Sequence, residues 1–368
     1  MTCLEPDVSA SDLDRPDLPR AAARSAPPLL AALVVLVLAA CTAGVTAPRT
    51  TPPDATGSLL PAATSTPPPS AAASASAVAP FPATLTDDEG TTLELAAAPK
   101  KIVSLTPATT EILFELGVGD RVVGKVEDVA NFPPEASGVP VVGTFNGVDV
   151  EKIVGLDADL VIAGGSGGTP PDSIKQLRDL KVPVLVVYAS DIDGALHDIT
   201  LTGEAVGAAD AAADLVASMQ AGFDEVGAAT AGAPKPRVFY ETGDQPSIYG
   251  IADNSVYEEM IGLAGGTPIT TGSATSWEMP VEKLVEADPE LIILGDSAYG
   301  VTAEAVAKRP GWAGITAVKK NAILGIDDIV VTRPGPRLVD GLRLLAAAIH
   351  PELGIAASAP PSPAASGG

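Results

Sequence analysis

The sequence predicts an α/β fold in which two similar lobes are joined by a single long helix, with a cleft between the lobes. A seventeen-residue unit occurs twice, at 148–164 and at 279–295, and eight of its positions are identical without a gap. Each copy joins a short amphipathic helical pattern to an uncharged apolar run that is typical of a buried parallel strand. Between the copies, 208–230 is rich in alanine and lacks proline, which predicts one continuous helix. A unit that repeats on both sides of one helix indicates two related lobes.

The first 40 residues have the pattern of a secretory signal. Their apolar run, 29–40, is twelve residues long, which is too short to span a bilayer and typical of a signal-peptide core. The run ends at Cys41, and the tetrapeptide 38–41 resembles the lipobox of bacterial lipoproteins. This resemblance implies that Cys41 is diacylated and becomes the first mature residue. The alternative is that Cys41 is simply a small apolar residue at the end of a signal sequence.

The segment 41–80 is predicted to be a disordered tether. It consists mainly of Ala, Pro, Ser and Thr, and Arg49 and Asp54 are its only charged residues, so it cannot bury enough surface to fold. A coil of about 40 residues has a reach of roughly 35 Å, which would hold a folded body clear of a membrane. The tail 355–368 has a similar composition and is also predicted to be disordered.

The composition argues against several classes of protein. A formal net charge of -24 disfavours binding to nucleic acid or to anionic lipid, because both carry dense negative charge. Cys3 and Cys41 both lie outside the predicted folded body, which therefore has neither a disulfide framework nor a thiol catalyst. His197 and His350 are the only histidines, so a zinc or manganese site made of several histidines is excluded. We predict no metal site and no resident cofactor.

The N-terminal lobe is predicted to occupy 81–207. Alternating residues around the acidic turn 87–90 predict a β-hairpin. A strand at 102–105 is followed by Thr106, a typical helix N-cap, and by Pro107, a residue favoured at the first helical position. Further strands are predicted at 122–125, 160–163 and 184–187, and further helices at 149–155, 172–180 and 191–206.

The interdomain helix is assigned to 208–232, and the C-terminal lobe to 233–354. The same alternation of apolar runs and helical patterns continues there. Strands are predicted at 237–240, 291–294 and 322–326, and helices at 255–263, 280–286, 302–308 and 336–350. Ligands of open α/β sheets bind at the carboxyl ends of the strands, so we expect the cleft between the lobes to be the binding site.

Four motifs carry a resemblance to a known family. Their order and spacing are similar to those of the periplasmic-binding proteins for iron-siderophore, haem and cobalamin, over about 98–353. The resemblance implies two Rossmann-like lobes on a rigid interdomain helix, and delivery of a ligand to an ABC importer. The motifs are Pro99-Lys100-Lys101-Ile102-Val103-Ser104-Leu105-Thr106-Pro107 with Thr110-Glu111, Gly143-Thr144-Phe145-Asn146, Asp159-Leu160-Val161-Ile162-Ala163 and Arg333-Pro334-Gly335-Pro336-Arg337.

The repeated glutamates, Glu151 and Glu282, have a role under this resemblance. Members of the family carry one surface glutamate on each lobe, and the pair docks onto arginines of a permease dimer. Two separated charges of this kind orient and steer an encounter more than they add affinity. The alternative is that each glutamate lies near a helix N-terminus and is stabilised by the helix dipole, by about 0.3–1 kcal/mol.

The candidate ligand-binding residues lie in the predicted cleft. The resemblance matches Phe145 to an aromatic position that faces the ligand, and Trp277 is close to its counterpart on the other lobe. Arg333 is a candidate partner for a siderophore carboxylate or a haem propionate, through a bidentate ion pair. The alternatives are that the tyrosines only pack and that Arg333 lies on the surface at a strand end. The other candidates are Thr106, Gly165, Ser166, Tyr188, Tyr249 and Tyr299.

A serine hydrolase is the main alternative function. The segment 164–168 fits the G-x-S-x-G motif, with Ser166 as the nucleophile and His350 later in the chain. However, Thr169-Pro170-Pro171 separates Ser166 from its helix, and neither histidine precedes a glycine to form an oxyanion loop. A haem receptor that uses an axial tyrosine, or a receptor that binds iron directly through tyrosines and carboxylates, remains open within the same fold.

We therefore predict a substrate-binding lipoprotein of an ABC importer, anchored outside the cytoplasm through Cys41. The expected ligand is an iron-siderophore, cobalamin or a similar large chelate, and the expected partner is the permease dimer. We expect a monomer without catalytic activity.

Overall fold

The computed structural model describes residues 81–144, 147–165 and 168–357. These residues form two lobes, each built around a mainly parallel sheet. One sheet is built from the chain before the long helix α5 (Ala209–Thr230), and the other from the chain after it. The predicted α/β fold class, with two lobes and a single long helix between them, is confirmed. The signal segment, Cys41, the tether, Phe145, Ser166 and the last eleven residues lie outside the described residues.

The N-terminal lobe contains a six-stranded sheet and a hairpin. The strand order of the sheet is β6-β5-β4-β3-β7-β8, and every pair is parallel except β5 with β6. The hairpin strands pair in antiparallel fashion, as the sequence predicts. The strands are β1 (Ala83–Thr86), β2 (Thr92–Leu95), β3 (Ile102–Ser104), β4 (Val122–Val126), β5 (Val141–Thr144), β6 (Gly147–Val148), β7 (Leu160–Gly164) and β8 (Val184–Val187).

The C-terminal lobe contains a four-stranded parallel sheet with the order β10-β9-β11-β12. Of its central strands, β11 is apolar and fully buried, and β9 is buried from Val238 to Glu241. The strands are β9 (Arg237–Glu241), β10 (Thr267–Pro268), β11 (Leu291–Leu294) and β12 (Ile323–Gly325).

Helices cover both sheets. The predicted N-cap of α1 is confirmed, since the Thr106 side chain accepts a hydrogen bond from the Thr109 N–H group. Among the helices of the described residues, none is both long and apolar enough to cross a membrane. The helices are α1 (Pro107–Glu115), α2 (Val150–Gly155), α3 (Pro171–Asp179), α4 (Ile192–Val206), α5 (Ala209–Thr230), α6 (Val256–Leu263), α7 (Val281–Ala287), α8 (Ala303–Ala307), α9 (Thr316–Lys320), α10 (Asp328–Thr332) and α11 (Leu338–Ile349).

The long helix α5 is held by an apolar face. Met219, Phe223 and Val226 are buried at the helical spacing that the sequence shows. Gly222 lies so close to α11 that a Cβ atom there would come within 2.5 Å of Val339 Cγ1. Close packing of α5 against α11 therefore ties the connecting helix to the C-terminal lobe.

The seventeen-residue repeat corresponds to α2–β7 in one lobe and α7–β11 in the other. Its two shared aspartates, Asp157 and Asp288, have positive φ angles of 52° and 46°, a conformation that Asp tolerates better than most residues. Its shared glycines lie at the carboxyl ends of the strands, Gly164 as the last residue of β7 and Gly295 directly after β11. A Cβ atom on Gly164 would lie 2.6 Å from Thr106 Cγ2, and one on Gly295 would lie 2.7 Å from Asp328 Oδ1. Backbone geometry thus accounts for part of the identity between the copies.

Some short elements are absent from the sequence-based assignment. The clearest is α10, whose Ile-Val-Val-Thr run consists of β-branched residues that intrinsically favour strands. Asp327 caps this helix by accepting a hydrogen bond from the Ile329 N–H group, and Val330 and Val331 are buried beneath it. Tertiary packing and capping therefore override local propensity at this position.

Candidate functional site

A cavity of about 670 Å³ lies between the two lobes. Its N-terminal wall is formed by the start of α1, the ends of β7 and β8, and one residue of α4. Its C-terminal wall is formed by the loop before α6, by Trp277 and by the residues that follow α10. The strands of both sheets end towards such a cleft in open α/β folds, so the position agrees with the sequence-based expectation.

Hydroxyl groups support the N-terminal wall. Ser104 Oγ lies 2.6 Å from Thr109 Oγ1 and 2.9 Å from Thr110 Oγ1, which fixes the turn from β3 into α1. Thr106, at the head of this turn, lines the cavity together with Gly165. A Cβ atom on Gly165 would come within 3.0 Å of the Tyr188 ring, so glycine allows the backbone to pass close to that side chain.

Aromatic side chains face the cavity from both lobes. Tyr188, directly after β8, is 58% exposed, and Trp277 is 39% exposed on the opposite wall. The Trp277 ring packs edge-on against Tyr257 at 5.5 Å, and Tyr257 packs against Tyr240 at 5.6 Å. The Tyr240 hydroxyl donates to Asp328 Oδ1 at 2.7 Å. Edge-to-face contacts of this kind orient rings, so Trp277 is held in place by a buried support.

Arg333 lines the cavity, but its guanidinium group is already paired. Nη1 lies 2.6 Å from Glu111 Oε1, and Nη2 lies 2.8 Å from Asp128 Oδ1. Arg337 makes a bidentate pair with the same Glu111, at 2.7 and 2.8 Å, and its guanidinium carbon lies 3.8 Å from the Phe132 ring centre. The sequence analysis expected Arg333 to bind an anionic ligand group. The structure gives it two protein carboxylates instead.

We name Glu111, Asp128, Arg333 and Arg337 the interlobe clamp, because the two acids come from the N-terminal lobe and the two arginines from the C-terminal lobe. The side chain of Arg333 is only 12% exposed. Burial by itself raises the pKa of Asp128, but hydrogen bonds from Arg333 and from backbone N–H groups, together with the Arg333 charge, hold that pKa below its ordinary value. Asp128 therefore remains ionised, and the clamp joins the lobes beside the cavity.

One acid on the N-terminal wall has a second acid as its neighbour. Asp198, on α4, lines the cavity although only 4% of it is exposed. Burial, followed by the hydrogen bond and charge of Asp88, raises the pKa of Asp198 to about 8. Asp88 also accepts a hydrogen bond from the Tyr188 N–H group at 2.5 Å and lies 3.8 Å from His197 Nε2.

Sequence reasoning missed Asp198. One signal was available, because Asp198 lies between Ala195 and Thr202 on the buried face of α4. An acid on an apolar helical face is uncommon and marks a partner or a site.

Other candidate residues lie elsewhere. Tyr249 forms backbone bridges with Gly243 and Glu278, and Tyr299 is 80% exposed at the end of a short turn, so neither lines the cavity. Glu151 and Glu282 are exposed in the first turns of α2 and α7.

The structure gives no support to a hydrolase site. His350 is buried in the C-terminal lobe, where Nε2 lies 3.2 Å from the Gly265 carbonyl oxygen and Nδ1 lies 3.1 Å from Glu352 Oε1. It does not line the cavity, and Ser166 lies outside the described residues. Both ring nitrogens of His350 are thus engaged in local contacts.

Several known proteins are similar to this chain in sequence and in fold. It is 37% identical over 278 residues to an uncharacterized ABC transporter substrate-binding lipoprotein of Bacillus subtilis, covering 74% of this chain and 87% of that protein. It is 30% identical over 290 residues to a cobalamin-binding protein of Halobacterium salinarum, covering 75% and 76%. A crystal structure of a possible iron-binding (periplasmic solute-binding) protein from Staphylococcus epidermidis superposes with a TM-score of 0.61 and 26% identity, covering 69% of this chain and all of that one.

The family model for periplasmic binding proteins matches residues 102–330. This range includes both sheets and the connecting helix, and it ends within α10. Together with the relatives, it shows that the chain belongs to the periplasmic binding protein family.

Proposed function

We propose that this protein captures a large chelate without net negative charge, of the cobalamin type, in the interlobe cavity and delivers it to an ABC importer. The observation that carries the choice of ligand is the pairing of Arg333. It is the only cationic side chain among the described residues that line the cavity, and two carboxylates neutralise it.

The charges of the cavity favour some family ligands over others. Haem carries propionates and many siderophores carry carboxylates, and burying such a group without a cationic partner is unfavourable. The acids Asp198 and Asp253 also line the cavity. A neutral corrinoid with peripheral amides meets no such penalty. The relative of 30% identity that is named a cobalamin-binding protein supports the same choice.

The size and the aromatic lining of the cavity support a ligand with flat apolar surface. Its volume of about 670 Å³ lies within the usual range for small-molecule sites. Tyr188 and Trp277 present aromatic surfaces from opposite walls. Burial of flat apolar surface between such rings would supply much of the affinity, while hydroxyl and backbone groups would set orientation. We further propose that Phe145 and the loop of Ser166 complete the ligand contacts.

We also propose that Glu151 and Glu282 dock onto the two subunits of the permease. They occupy the same place in the repeat, each exposed at the start of a helix, one per lobe. A symmetric pair of charges suits a dimeric receptor and a monomeric donor. Lipidation of Cys41 and the tether 41–80 would keep this monomer at the outer surface of the membrane. No catalytic step is part of the proposal.

Fluorescence and calorimetry test the ligand. The chain has two tryptophans, and Trp312 is buried in the core, so quenching on ligand addition reports mainly on Trp277. We expect cyanocobalamin to bind with micromolar or tighter affinity and haemin to bind at least tenfold more weakly.

Variants at three positions test the ligand site and provide its controls. Trp277→Ala should weaken cyanocobalamin binding about tenfold or more, since it removes one aromatic wall. Tyr299→Ala, an exposed aromatic outside the cavity, should leave the affinity unchanged. Tight haemin binding without cyanocobalamin binding would refute the proposed ligand class. Ester hydrolysis that disappears in Ser166→Ala would favour the hydrolase instead.

A further inference from the structure

The β1–β2 hairpin meets the larger sheet of the N-terminal lobe through its turn. Strand β8 is the edge of that sheet in the described part of the chain, so its outer backbone groups face no further strand. The turn takes the place of one. The Asp88 N–H group donates to the Val186 carbonyl oxygen at 3.1 Å, and Asp87 Oδ2 accepts from the Val186 N–H group at 3.3 Å. Two acids of a turn thus continue the hydrogen bonding of the sheet.

Asp88 extends this contact to Tyr188, the first residue after β8. Its Oδ2 atom accepts a hydrogen bond from the Tyr188 N–H group at 2.5 Å. A carboxylate that accepts from a backbone N–H group makes a short and strong hydrogen bond. The Asp88 side chain is only 21% exposed, which limits competition from water. Asp88 therefore fixes the backbone at the point where β8 ends.

Tyr188 is held on its other side by the end of the neighbouring strand. Gly165, directly after β7, lies so close that a Cβ atom on it would come within 3.0 Å of Tyr188 Cβ and Cγ. The tyrosine lines the cavity and is more exposed than buried, so packing covers less than half of it. The direction of its ring then depends mainly on the contacts at its base, which are the Asp88 hydrogen bond and the Gly165 backbone.

The turn that carries Asp88 is itself held firmly. Asp87 Oδ1 accepts hydrogen bonds from the N–H groups of Glu89 and Thr91, at 3.1 and 2.7 Å, which closes the turn. The Asp87 side chain is fully buried, and Arg178 on α3 pairs with its Oδ2 atom at 2.7 Å. A side chain can orient a binding group only if its own supports are fixed. These contacts hold Asp88 in place without a ligand.

We propose that Asp88 is a positioning residue, which sets Tyr188 as the aromatic wall of the N-terminal lobe against the bound chelate. The inference rests on the proposed function and deepens it, because it gives the hairpin turn, which does not line the cavity, a role in ligand recognition. Each aromatic wall then has its own kind of support. Trp277 packs on the ring of Tyr257, whereas Tyr188 is held at its backbone by a carboxylate.

A double-mutant cycle tests this role, with cyanocobalamin binding measured by isothermal titration calorimetry. Asp88→Ala should weaken binding about fivefold, and Tyr188→Ala about tenfold. Asp88→Ala added to Tyr188→Ala should weaken binding by less than about twofold more, because the ring that Asp88 positions is already gone. Stability should behave differently. Asp88→Ala should lower the Tm equally in both backgrounds, since the backbone hydrogen bond is lost in each.

Two further variants separate the hydrogen bond from the charge of the turn. Asp88→Asn keeps an acceptor for the Tyr188 N–H group and should bind within about twofold of the wild type. Glu89→Ala is the matched control, because the Glu89 carboxylate pairs with Arg178, and it should leave the affinity unchanged. Hydrogen exchange of the Tyr188 amide should be about tenfold faster in Asp88→Ala and unchanged in Glu89→Ala.

The outcomes distinguish this inference from the proposed function. An undiminished effect of Asp88→Ala in the Tyr188→Ala background would overturn the inference alone, because Asp88 would then act by another route, such as its neighbour Asp198. Unchanged affinity in Asp88→Ala would overturn it as well. If the wild type binds haemin and not cyanocobalamin, the proposed ligand class fails, and the same cycle with haemin decides the role of Asp88. Binding of neither would overturn both proposals.

Discussion

The two lobes share a repeated unit, yet they line the cavity with different kinds of side chain. The N-terminal wall carries hydroxyl groups, Gly165 and Asp198, whereas the C-terminal wall carries Trp277, which packs against Tyr257, and Arg333, which is paired with two carboxylates. Some of the positions that repeat, namely the two aspartates and the two glycines, are those that backbone geometry demands. The comparison teaches that the repeat preserves the scaffold of each lobe, while recognition of the ligand is divided asymmetrically between them.

The largest expected effect comes from breaking the clamp that joins the unlike lobes. Glu111→Leu would leave Arg337 without its carboxylate and deprive Arg333 of one of its two, in a largely buried place. Removing one partner of a buried ion pair costs about 3–5 kcal/mol, and we expect a loss of stability of that size in urea unfolding. Glu304→Leu breaks the exposed Lys308 pair and should change little. Equal losses of stability in the two variants would show that the clamp stabilises the protein no more than an exposed ion pair does.

An intermediate effect is expected at the shared glycines, which test whether the scaffold is equivalent in the two lobes. Gly164→Ala and Gly295→Ala should each destabilise the protein by about 1–3 kcal/mol, because the new Cβ atom meets Thr106 in one lobe and Tyr240 and Asp328 in the other. Gly155→Ala in α2 has open space around it and should stabilise by up to about 1 kcal/mol. Thermal unfolding compares the three variants. A neutral result at only one of the two glycines would mean that the copies are less alike than their backbones indicate.

The smallest expected effect on stability comes from substituting the shared aspartates, Asp157 and Asp288, which differ in their hydrogen bonds. Asp288 accepts hydrogen bonds from Thr316 N and Oγ1, at 2.7 and 2.8 Å, whereas the pair between Asp157 and Lys101 at 3.3 Å is exposed. Hydrogen bonds from the Thr316 backbone and side chain hold the pKa of Asp288 below its ordinary value. Its stabilisation is therefore present above the unfolded-state pKa of 3.8 and is lost as pH falls through the lower folded-state value.

Asp288→Asn should accordingly lower the Tm at pH 7 and make unfolding less sensitive to acid below about pH 4. Asp157→Asn should do neither. Scanning calorimetry at pH 3 and pH 7 compares the two variants with the wild type. Identical behaviour of both would show that the C-terminal copy gains nothing from its extra hydrogen bonds.

Much of the fold is visible in the sequence, because its long elements are strongly periodic. Thr106 and Pro107 mark the start of α1, and the proline-free stretch 208–230 marks α5. The short helix α10 is not visible, since its β-branched residues favour a strand and only burial makes them helical. Local pattern thus predicts an element when its own residues suffice to specify it.

The site is predicted less completely than the fold. Trp277, Tyr188 and Thr106 follow from motif position or from strand ends, and all three line the cavity. The pairing of Arg333 with Glu111 joins residues 222 positions apart, and no local pattern contains it. The neighbourhood of Asp198 and Asp88 is also non-local, since the two residues are 110 positions apart, although the place of Asp198 on the buried face of α4 was a local signal.

The clamp has a consequence for the behaviour of the protein in media of different salinity. Dissolved ions screen exposed charge pairs such as Lys175–Asp179 strongly and sheltered pairs weakly. Because the arginines and acids of the clamp are sheltered, brine and dilute buffer should leave the angle between the lobes the same. The width of the opening that a ligand meets is then a fixed property of the molecule and not of its surroundings.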